Sequence, residues 1–380
     1  MSLQCLVFCS DDKIVRLLRR VLSDLEIGVE HCMEADSAIR KLTRQRFEAI
    51  IVDCTEEEAA SQVLKSARSA PVNKRAIAVS IIDGQKALRS AFDLGAHFVL
   101  YKPISSERAK SSFRAVRALM KRERRRNTRF PIEIPVTLMV EGVADEQKVF
   151  TTDLSEGGVA LKKFKRPKNG KSMRAKFRLP GTDYDVESLV EMAWESAGRQ
   201  TGIRFVDLAP ASRAQIIAWL NSHSPEFEKD DPPVPCKLSD LSLGGCYLET
   251  ASPFPVRTRL VLSMRAGEME LQVEGRVQVM HPEVGLGVEF TKRTPQQKER
   301  VEKFIQTLVQ SHGVLPDLLV QPEGIGNIDD EHPEAESDEA EDPLLNLFRL
   351  KAELSSKEFH TELSKQRGGN PVTPDATVLA

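Results

Sequence analysis

The 380-residue sequence has no long apolar run and few cysteines. No stretch approaches the roughly 18 apolar residues that a membrane-spanning helix needs. The N-terminus is apolar for only a few residues and then turns acidic, whereas a secretory signal has a basic start and a longer apolar stretch. The six cysteines form no CxxC pair and no cluster at zinc-ligand spacing. These absences predict a cytoplasmic protein without a membrane span, whose cysteines are reduced core residues.

Motifs of common catalytic sites are also missing. The sequence has no P-loop, no HExxH motif and no Ser or Cys nucleophile motif beside any of its seven histidines. The two tryptophans, Trp194 and Trp219, fall in a predicted strand and a predicted helix, where core packing is their usual role. We therefore predict a binding protein and not an enzyme.

The net charge of −2 conceals two segments of opposite sign. Residues 108–129 contain ten Lys or Arg and one acid, and residues 323–342 contain ten acids and no Lys or Arg. The basic segment leaves a nucleic-acid-binding regulator open as an alternative function, although no helix-turn-helix pattern is present. The acidic segment has few large apolar side chains and is predicted to be disordered. One hypothesis is that the acidic segment competes with a ligand for the basic one.

Residues 1–118 alternate short apolar runs with helical patterns, which predicts a doubly wound parallel α/β sheet. Polar residues follow the runs: Asp11 and Asp12 the first, Asp53 the second, Ser80 the third and Lys102 the fourth. Chemistry in such sheets collects at the carboxyl ends of the strands. This order resembles the receiver domain of response regulators. The resemblance implies that Asp53 is a phosphoacceptor, that Asp11, Asp12 and Asp53 bind Mg2+, that Ser80 and Lys102 support the phosphoryl group, and that a histidine kinase is a partner.

Three departures from the receiver pattern leave a second interpretation open. CTEEEAA follows Asp53 in place of a short Met-Pro turn, Ile81 stands where a small residue is usual, and Val99 stands where a switching aromatic is common. A receiver fold retained as a dimerisation or docking platform is therefore the alternative to a phosphorylated one.

From residue 131 the sequence consists of closely spaced β segments, which predicts a small antiparallel barrel closed by a helix. A repeat follows, because TTDLSEGGVAL at 151–161 returns as LSDLSLGGCYL at 238–248, and TGIRF at 201–205 returns as LGVEF at 286–290. The basic segment ends in an RxxxR pair ahead of the first copy, and the motif D-x-S-x-x-G lies within it. The residues concerned are Arg124, Arg125, Arg129, Asp153, Ser155 and Gly158.

These motifs resemble the PilZ family, which binds cyclic di-GMP. Arginine forks suit phosphate and guanine edges, a carboxylate can accept from guanine N–H groups, and glycines let the backbone approach a ligand. The six residues are therefore the predicted cyclic di-GMP site, with the arginines on a flexible loop. The second copy keeps Asp240, Ser242 and Gly245 but lacks the arginines, which predicts a degenerate, structural or partner-binding module.

The predicted architecture is a multidomain chain with a receiver-like α/β domain, two small antiparallel PilZ-like barrels and a largely disordered acidic C-terminal tail. The segments are a receiver-like domain at 1–118, a basic linker or arginine loop at 119–130, a first PilZ-like domain at 131–222, a linker at 223–232, a degenerate PilZ-like domain at 233–312, a disordered acidic linker at 313–342, an amphipathic helix at 343–365 and a tail at 366–380.

The predicted function is that of a cyclic di-GMP-responsive adaptor in two-component-type signalling. It binds the dinucleotide at the first PilZ domain, is modulated by phosphorylation of Asp53, and relays the signal to an unknown downstream protein through the second PilZ copy or the C-terminal helix. A nucleic-acid-binding regulator and a scaffold that binds no ligand are the alternatives.

Overall fold

The computed structural model describes residues 3–84, 87–141, 146–162, 164, 173–196, 200–223, 231–291, 294–310, 316–326, 342–349 and 356–366. The chain divides into two compact units. One is Lys121–Asp230, and the other joins Ser2–Met120 to Asp231–Ala380. Within the described residues, no helix has both the length and the apolar character that crossing a membrane requires.

The N-terminal domain is a five-stranded parallel sheet with the strand order β2-β1-β3-β4-β5. Its strands are β1 (Leu3–Phe8), β2 (Ile27–Cys32), β3 (Ala49–Asp53), β4 (Ile77–Ile82) and β5 (Phe98–Tyr101), and its helices are α1 (Asp12–Asp24), α2 (Ala35–Arg44), α3 (Glu57–Ser69), α4 (Leu88–Asp93) and α5 (Ser106–Asn127). The four apolar runs became β1, β3, β4 and β5. The edge strand β2 carries Gly28, Glu30 and His31 and gave no apolar run. The predicted parallel α/β fold is confirmed.

The predicted arginine loop at 119–130 is mostly wrong, because helix α5 continues to Asn127. Residues 107–127 contain neither Gly nor Pro, and most of them are Arg, Lys, Ala or other residues that favour a helix. The helix ends where Thr128 N–H donates to the carbonyl of Arg124 at 2.8 Å. Only Thr128 and Arg129 connect the helix to β6 (Phe130–Pro131).

The first barrel contains β7 (Pro135–Val140), β8 (Gln147–Ser155), β9 (Gly158–Lys162), β10 (Met173–Arg178), β11 (Asp185–Glu195) and β12 (Gln200–Leu208). The pairing of β8 with β9 closes the sheet, and the short strand β6 adds to β8. Alternating side chains from these strands form the core, and α6 (Pro210–His223) contributes Ile216, Trp219 and Leu220 to it. Trp219 is buried, as predicted, and its Nε1 donates to the carbonyl of Pro180 at 2.8 Å.

The second barrel is closed by β13 (Val234–Leu241), β14 (Gly245–Glu249), β15 (Thr258–Ala266), β16 (Met269–His281), β17 (Gly285–Phe290) and β18 (Asp317–Ile325). Helix α7 (Pro295–Gln310) lies between β17 and β18 in sequence. The prediction of disorder from residue 313 is wrong for β18, whose Leu318 and Val320 point into the core.

Strand β18 takes the place that β7 has in the first barrel. β7 pairs antiparallel with β8 and β10, and β18 pairs antiparallel with their equivalents β13 and β15. The second copy lacks a strand ahead of its repeated motif because the strand comes from the other end of the domain. The barrel is thus circularly permuted relative to the first.

Within the predicted C-terminal helix at 343–365, the structure describes α8 (Pro343–Arg349) and α9 (Ser356–Gln366). Residues 350–355 lie outside the described residues. Residues 327–341, which hold most of the acidic segment, lie outside the described residues, as do 224–230 of the predicted linker and 367–380. The buried apolar residues of α8 and α9 form a cluster with Tyr247 and Val279 of the second barrel.

Candidate functional site

The repeated glycine motif forms a tight turn between β8 and β9 in the first barrel. Ser155 Oγ donates to the carbonyl of Gly158 at 3.0 Å, and both residues are buried. A Cβ added at Gly158 would lie 2.1 Å from the carbonyl oxygen of Ile203, so only glycine fits there. A Cβ added at Gly157 would meet no atom of the described residues within 4 Å. Ser155 and Gly158 therefore shape the turn, and the surface over Gly157 is open.

Arg129 and Asp153 are brought together beside this turn. Strand β6 pairs Pro131 with Asp153, which places the end of the basic segment next to the motif. Arg129 Nη1 donates to Asp153 Oδ1 at 2.8 Å. The Arg129 side chain is 44% exposed and that of Asp153 is 21% exposed, so a ligand can reach the pair.

Trp194 was predicted to be a core residue and is instead partly exposed next to Arg129. The ring centroid lies 5.5 Å from Arg129 Cζ, which is cation–π distance. The even-numbered residues of β11 up to Val190 face the core, but a register shift between Met192 and Trp194 turns the indole outwards. β-Bulges commonly redirect a side chain in this way. A Cβ at Gly202 would lie 2.2 Å from Trp194 Nε1, so the indole lies against a glycine of the TGIRF motif.

Arg125 is placed differently from Arg129. It lies in the last turn of α5 and is 4% exposed, and Arg124 is half-buried. In the same helix, Arg122 Nη2 lies 3.8 Å from the buried carboxylate of Glu156, the residue before the two glycines. The helix end is therefore attached to the glycine motif. A ligand could contact Arg125 only after this end of the helix rearranges.

The receiver-like domain gathers a second polar cluster around Asp53, at the carboxyl end of β3. Lys102 Nζ donates to both oxygens of Asp53 at 2.8 and 3.0 Å, and Thr55 Oγ1 donates to Oδ1 at 2.7 Å. Cys9 Sγ lies 3.3 Å from Oδ2. The neighbours Thr55 and Cys9 were missed, because their contacts with Asp53 depend on how the strand ends meet.

These contacts set the ionisation of the cluster. Burial raises the pKa of Asp53, but hydrogen bonds from Lys102, Thr55 and Cys9 outweigh it, so the pKa lies below the ordinary aspartate value. Burial lowers the pKa of Lys102, but the hydrogen bond with Asp53 outweighs it, and the pKa is raised. Burial raises the pKa of the Cys9 thiol to about 12, so Cys9 is a thiol donor at neutral pH. Asp53 is thus an ionised carboxylate, the form in which it could act as a nucleophile.

The predicted metal ligands are not gathered in the same way. The carboxylate of Asp11 caps helix α1 by accepting from the backbone N–H of Lys13 at 2.7 Å, and Asp12 is exposed in the first turn. In the described part of the chain, no three His, Cys, Asp or Glu side chains are placed to hold a metal ion. As placed, the Asp11 carboxylate is engaged as a helix cap and Asp53 is paired with Lys102. The metal role of Asp11, Asp12 and Asp53 stays a prediction. Ser80 is fully buried on β4, next to β3.

Comparison with known proteins identifies the two barrels. The sequence matches the PilZ domain family twice, over residues 123–222 and 221–307. A search of curated protein sequences found no match.

Solved structures are similar to single domains of the chain. CheY4, a chemotaxis response regulator of Vibrio cholerae, is 19% identical over 30% of this chain and 99% of its own, with a TM-score of 0.29. The receiver domain of a sensor histidine kinase from Pseudomonas aeruginosa PAO1, with magnesium in its active-site cleft, is 17% identical over 32% and 98%, with a TM-score of 0.28. The PilZ domain of CeSA from a cellulose-synthesizing bacterium is 17% identical over 26% and 98%, with a TM-score of 0.21.

The strand order of the N-terminal sheet is that of the flavodoxin-like fold, to which receivers of the CheY type belong. The two family matches cover the first barrel, the second barrel from β13 to β17 and both copies of the repeated motif, and β18 lies beyond the second match. The chain therefore has an N-terminal domain of the flavodoxin-like fold, followed by two regions that match the PilZ domain family.

Proposed function

We propose that the chain is a signalling adaptor that binds cyclic di-GMP at the open face of its first PilZ barrel. The observation that carries the proposal is the grouping of Arg129, Asp153 and Trp194 around the uncovered turn at Gly157. A guanidinium fork, a carboxylate and an indole supply a phosphate partner, a guanine partner and a stacking surface.

The ion pair between Arg129 and Asp153 suggests how binding proceeds. In the structure each group satisfies the other at 2.8 Å. A ligand phosphate would take over the guanidinium, and the released carboxylate would accept from guanine N1–H and N2–H. An exposed ion pair of this kind contributes only about 0–1 kcal/mol, so separating it costs little compared with charge-assisted bonds to phosphate.

Calorimetric titration of cyclic di-GMP into the full-length protein tests the proposal. We expect saturable binding by the wild type and a loss of about tenfold or more in affinity for Arg129→Ala and for Asp153→Ala. Arg178→Ala is the matched control, because Arg178 also pairs with an aspartate on the same barrel, at 2.7 Å from Asp185. An unchanged affinity in both site variants, or no binding by the wild type, would overturn the proposal.

The proposal extends to Asp53 as a phosphoacceptor that modulates the adaptor. Its support is the ionised carboxylate with Lys102 in direct contact. Intact mass spectrometry after incubation with acetyl phosphate and MgCl2 should show one added phosphoryl group in the wild type and none in Asp53→Asn. Equal masses for both proteins would leave the domain as a docking platform.

The basic segment is less suited to nucleic acid than its sequence predicts. Apart from Arg129, at least five of its basic residues have a carboxylate of this chain within 4 Å. They are Arg108, Lys110, Arg117, Arg122 and Arg126. A residue held by an internal partner contributes less to phosphate neutralisation. We therefore favour the dinucleotide over a nucleic acid as the ligand.

A further inference from the structure

The turns of the repeated motif have different surroundings in the two barrels. Gly157 in DLSEGG and Gly244 in DLSLGG are equivalent positions. A Cβ at Gly157 would meet no atom of the described residues within 4 Å, whereas one at Gly244 would lie 2.6 Å from Leu345 Cδ1 and 2.9 Å from Asp342 Oδ2. The face that is open in the first barrel is covered by the C-terminal segment in the second.

A second pair of equivalent glycines, Gly202 and Gly287, also shows that the C-terminal segment covers only the second barrel. Gly202 in the first barrel lies against Trp194, the residue paired with it across the strands. Gly287 in the second barrel pairs with Val279, which is too small to cover it. The ring of Phe348 fills the space instead, with Cε1 2.5 Å from an added Cβ. An aromatic ring from α8 thus occupies the position of the indole in the first barrel.

Polar contacts fix the segment to the turn. Asp342 Oδ2 accepts from Gly244 N–H at 3.0 Å, and Oδ1 accepts from the N–H groups of Leu344 and Leu345 at 3.1 and 3.3 Å. One carboxylate therefore caps the start of α8 and binds the glycine turn.

Helix α9 completes the cover. The ring of Phe359 lies 5.0 Å from that of Tyr247 and 4.8 Å from that of His281, centroid to centroid. Tyr247 and His281 are hydrogen-bonded to each other at 3.0 Å. The apolar residues of the segment with at most 6% exposure are Leu344, Leu345, Leu347, Phe348, Phe359 and Leu363.

The two helices depend on this contact for their structure. α8 has seven residues and α9 has 11, and isolated helices of such length are marginal in water. Their stability must therefore come from burying the apolar side chains in the barrel, as when an amphipathic helix binds in a groove.

We propose that this face of the second barrel is a protein-binding groove whose resident ligand is the chain's own segment 342–366. The groove recognises an aspartate cap followed by Leu at the third position and Phe at the sixth, as in Asp342, Leu345 and Phe348. While the segment is bound, the second barrel has no open surface for a dinucleotide at its glycine motif. A partner helix of the same chemistry gains access only when the segment is released.

Hydrogen exchange on the full-length protein tests the docking. Gly287→Val is the barrel-side variant, because the three nearest atoms to the new Cβ all belong to Phe348. We expect amides of residues 343–349 and 356–366 to lose protection by about tenfold or more, while β14 and β17 keep theirs. The control Val309→Asp, at a residue that is 71% exposed on α7, should change the protection of neither the segment nor the barrel strands. An unprotected segment in the wild type would overturn the proposal.

If Gly287→Val unfolds the barrel, the double variant Phe348→Asp/Phe359→Asp is used instead, because it should release segment 342–366 from an unaltered barrel. A fluorescent peptide of residues 340–368 should then bind this full-length variant saturably, and at least about tenfold more tightly than it binds the wild type. The same peptide with both substitutions should not bind. Absence of peptide binding, or displacement of the peptide by cyclic di-GMP, would contradict the proposal without bearing on dinucleotide binding by the first barrel.

Discussion

Arg129, Asp153 and Trp194 come from three separate parts of the chain, and each depends on a local backbone feature for its position. The short strand β6 brings Arg129 to Asp153, and the bulge in β11 turns Trp194 outwards. The glycine at 202 leaves room for the indole. The three side chains are held by the strands of one barrel, so the site proposed for the dinucleotide would be largely preformed, and Arg125 would be the group that has to move.

Trp194 should contribute through stacking on a guanine. Trp194→Ala is expected to weaken cyclic di-GMP binding by about 1–3 kcal/mol, or roughly fivefold to 150-fold, because a base stacked on an aromatic ring gains that much. Trp194→Phe should retain most of the affinity. Trp194→Phe should also melt close to the wild type, because it keeps an aromatic ring at a position that is 36% exposed and lies against Gly202. Calorimetry measures the affinities and thermal unfolding measures the stabilities. Equal affinities of the Trp194→Ala variant and the wild type would show that Trp194 is not part of the site.

The lowered pKa of Asp53 has a consequence for stability. The ionised form is stabilised in the folded state, so its contribution is present above the ordinary aspartate pKa of about 4 and is lost as the pH falls through the lowered value. The opening free energy of β3, measured by hydrogen exchange, should therefore be higher for the wild type than for Asp53→Asn at pH 6. The difference should shrink on acidification. A difference independent of pH would show that Asp53 is not ionised in this contact.

Strand pairing explains why the two motif glycines are not equivalent. Gly158 pairs with Arg204 across β9 and β12, and a Cβ there would lie 2.1 Å from the backbone oxygen of Ile203. Gly158→Ala should destabilise the first barrel by at least about 2 kcal/mol, which lowers the melting temperature of a domain this size by about 8 °C or more. Gly157→Ala should leave it unchanged. Tryptophan fluorescence reports this barrel, because both tryptophans lie in it.

Strand β18 should be indispensable to the second barrel. Val320 is fully buried and its neighbour Leu319 is 44% exposed, so the two residues test the opposite faces of one strand. Val320→Asp places a carboxylate in the core and should cost several kcal/mol, about 3 or more. Leu319→Asp should cost about 0.5 kcal/mol or less. Hydrogen exchange in β13 and β15 measures both, and an intact barrel in Val320→Asp would contradict the permuted closure.

Elements with a strong local pattern could be predicted from the sequence. The apolar runs gave four of the five parallel strands, and the repeat gave both barrels and the glycine motif. Features set by tertiary contact were not predictable. The bulge that exposes Trp194 depends on strand register, and β18 comes after the helix with which the sequence pattern of the second barrel ends. The helical state of Arg125 follows from the helix propensity of its neighbours, whereas its position shortly before a strand favours a loop.

At the scale of the whole molecule, the repeated glycine motif has different surroundings in the two barrels. The first barrel leaves its glycine turn open beside an arginine and an indole, and the second covers its turn with an aspartate, a leucine and a phenylalanine from the C-terminus. The second barrel has Glu289 where the first has Arg204. The two copies therefore share the glycine turn and differ in what lies over it.

Hydrogen exchange of the full-length protein with and without saturating cyclic di-GMP tests this account most directly. We predict that the ligand increases protection around Arg129, at the turn between β8 and β9, and at the bulge near Trp194. The turn between β13 and β14 should be equally protected in both samples, because residues 342–349 already cover it. Ligand-dependent protection at the second turn, or none at the first, would contradict the assignment of the dinucleotide site to the first barrel.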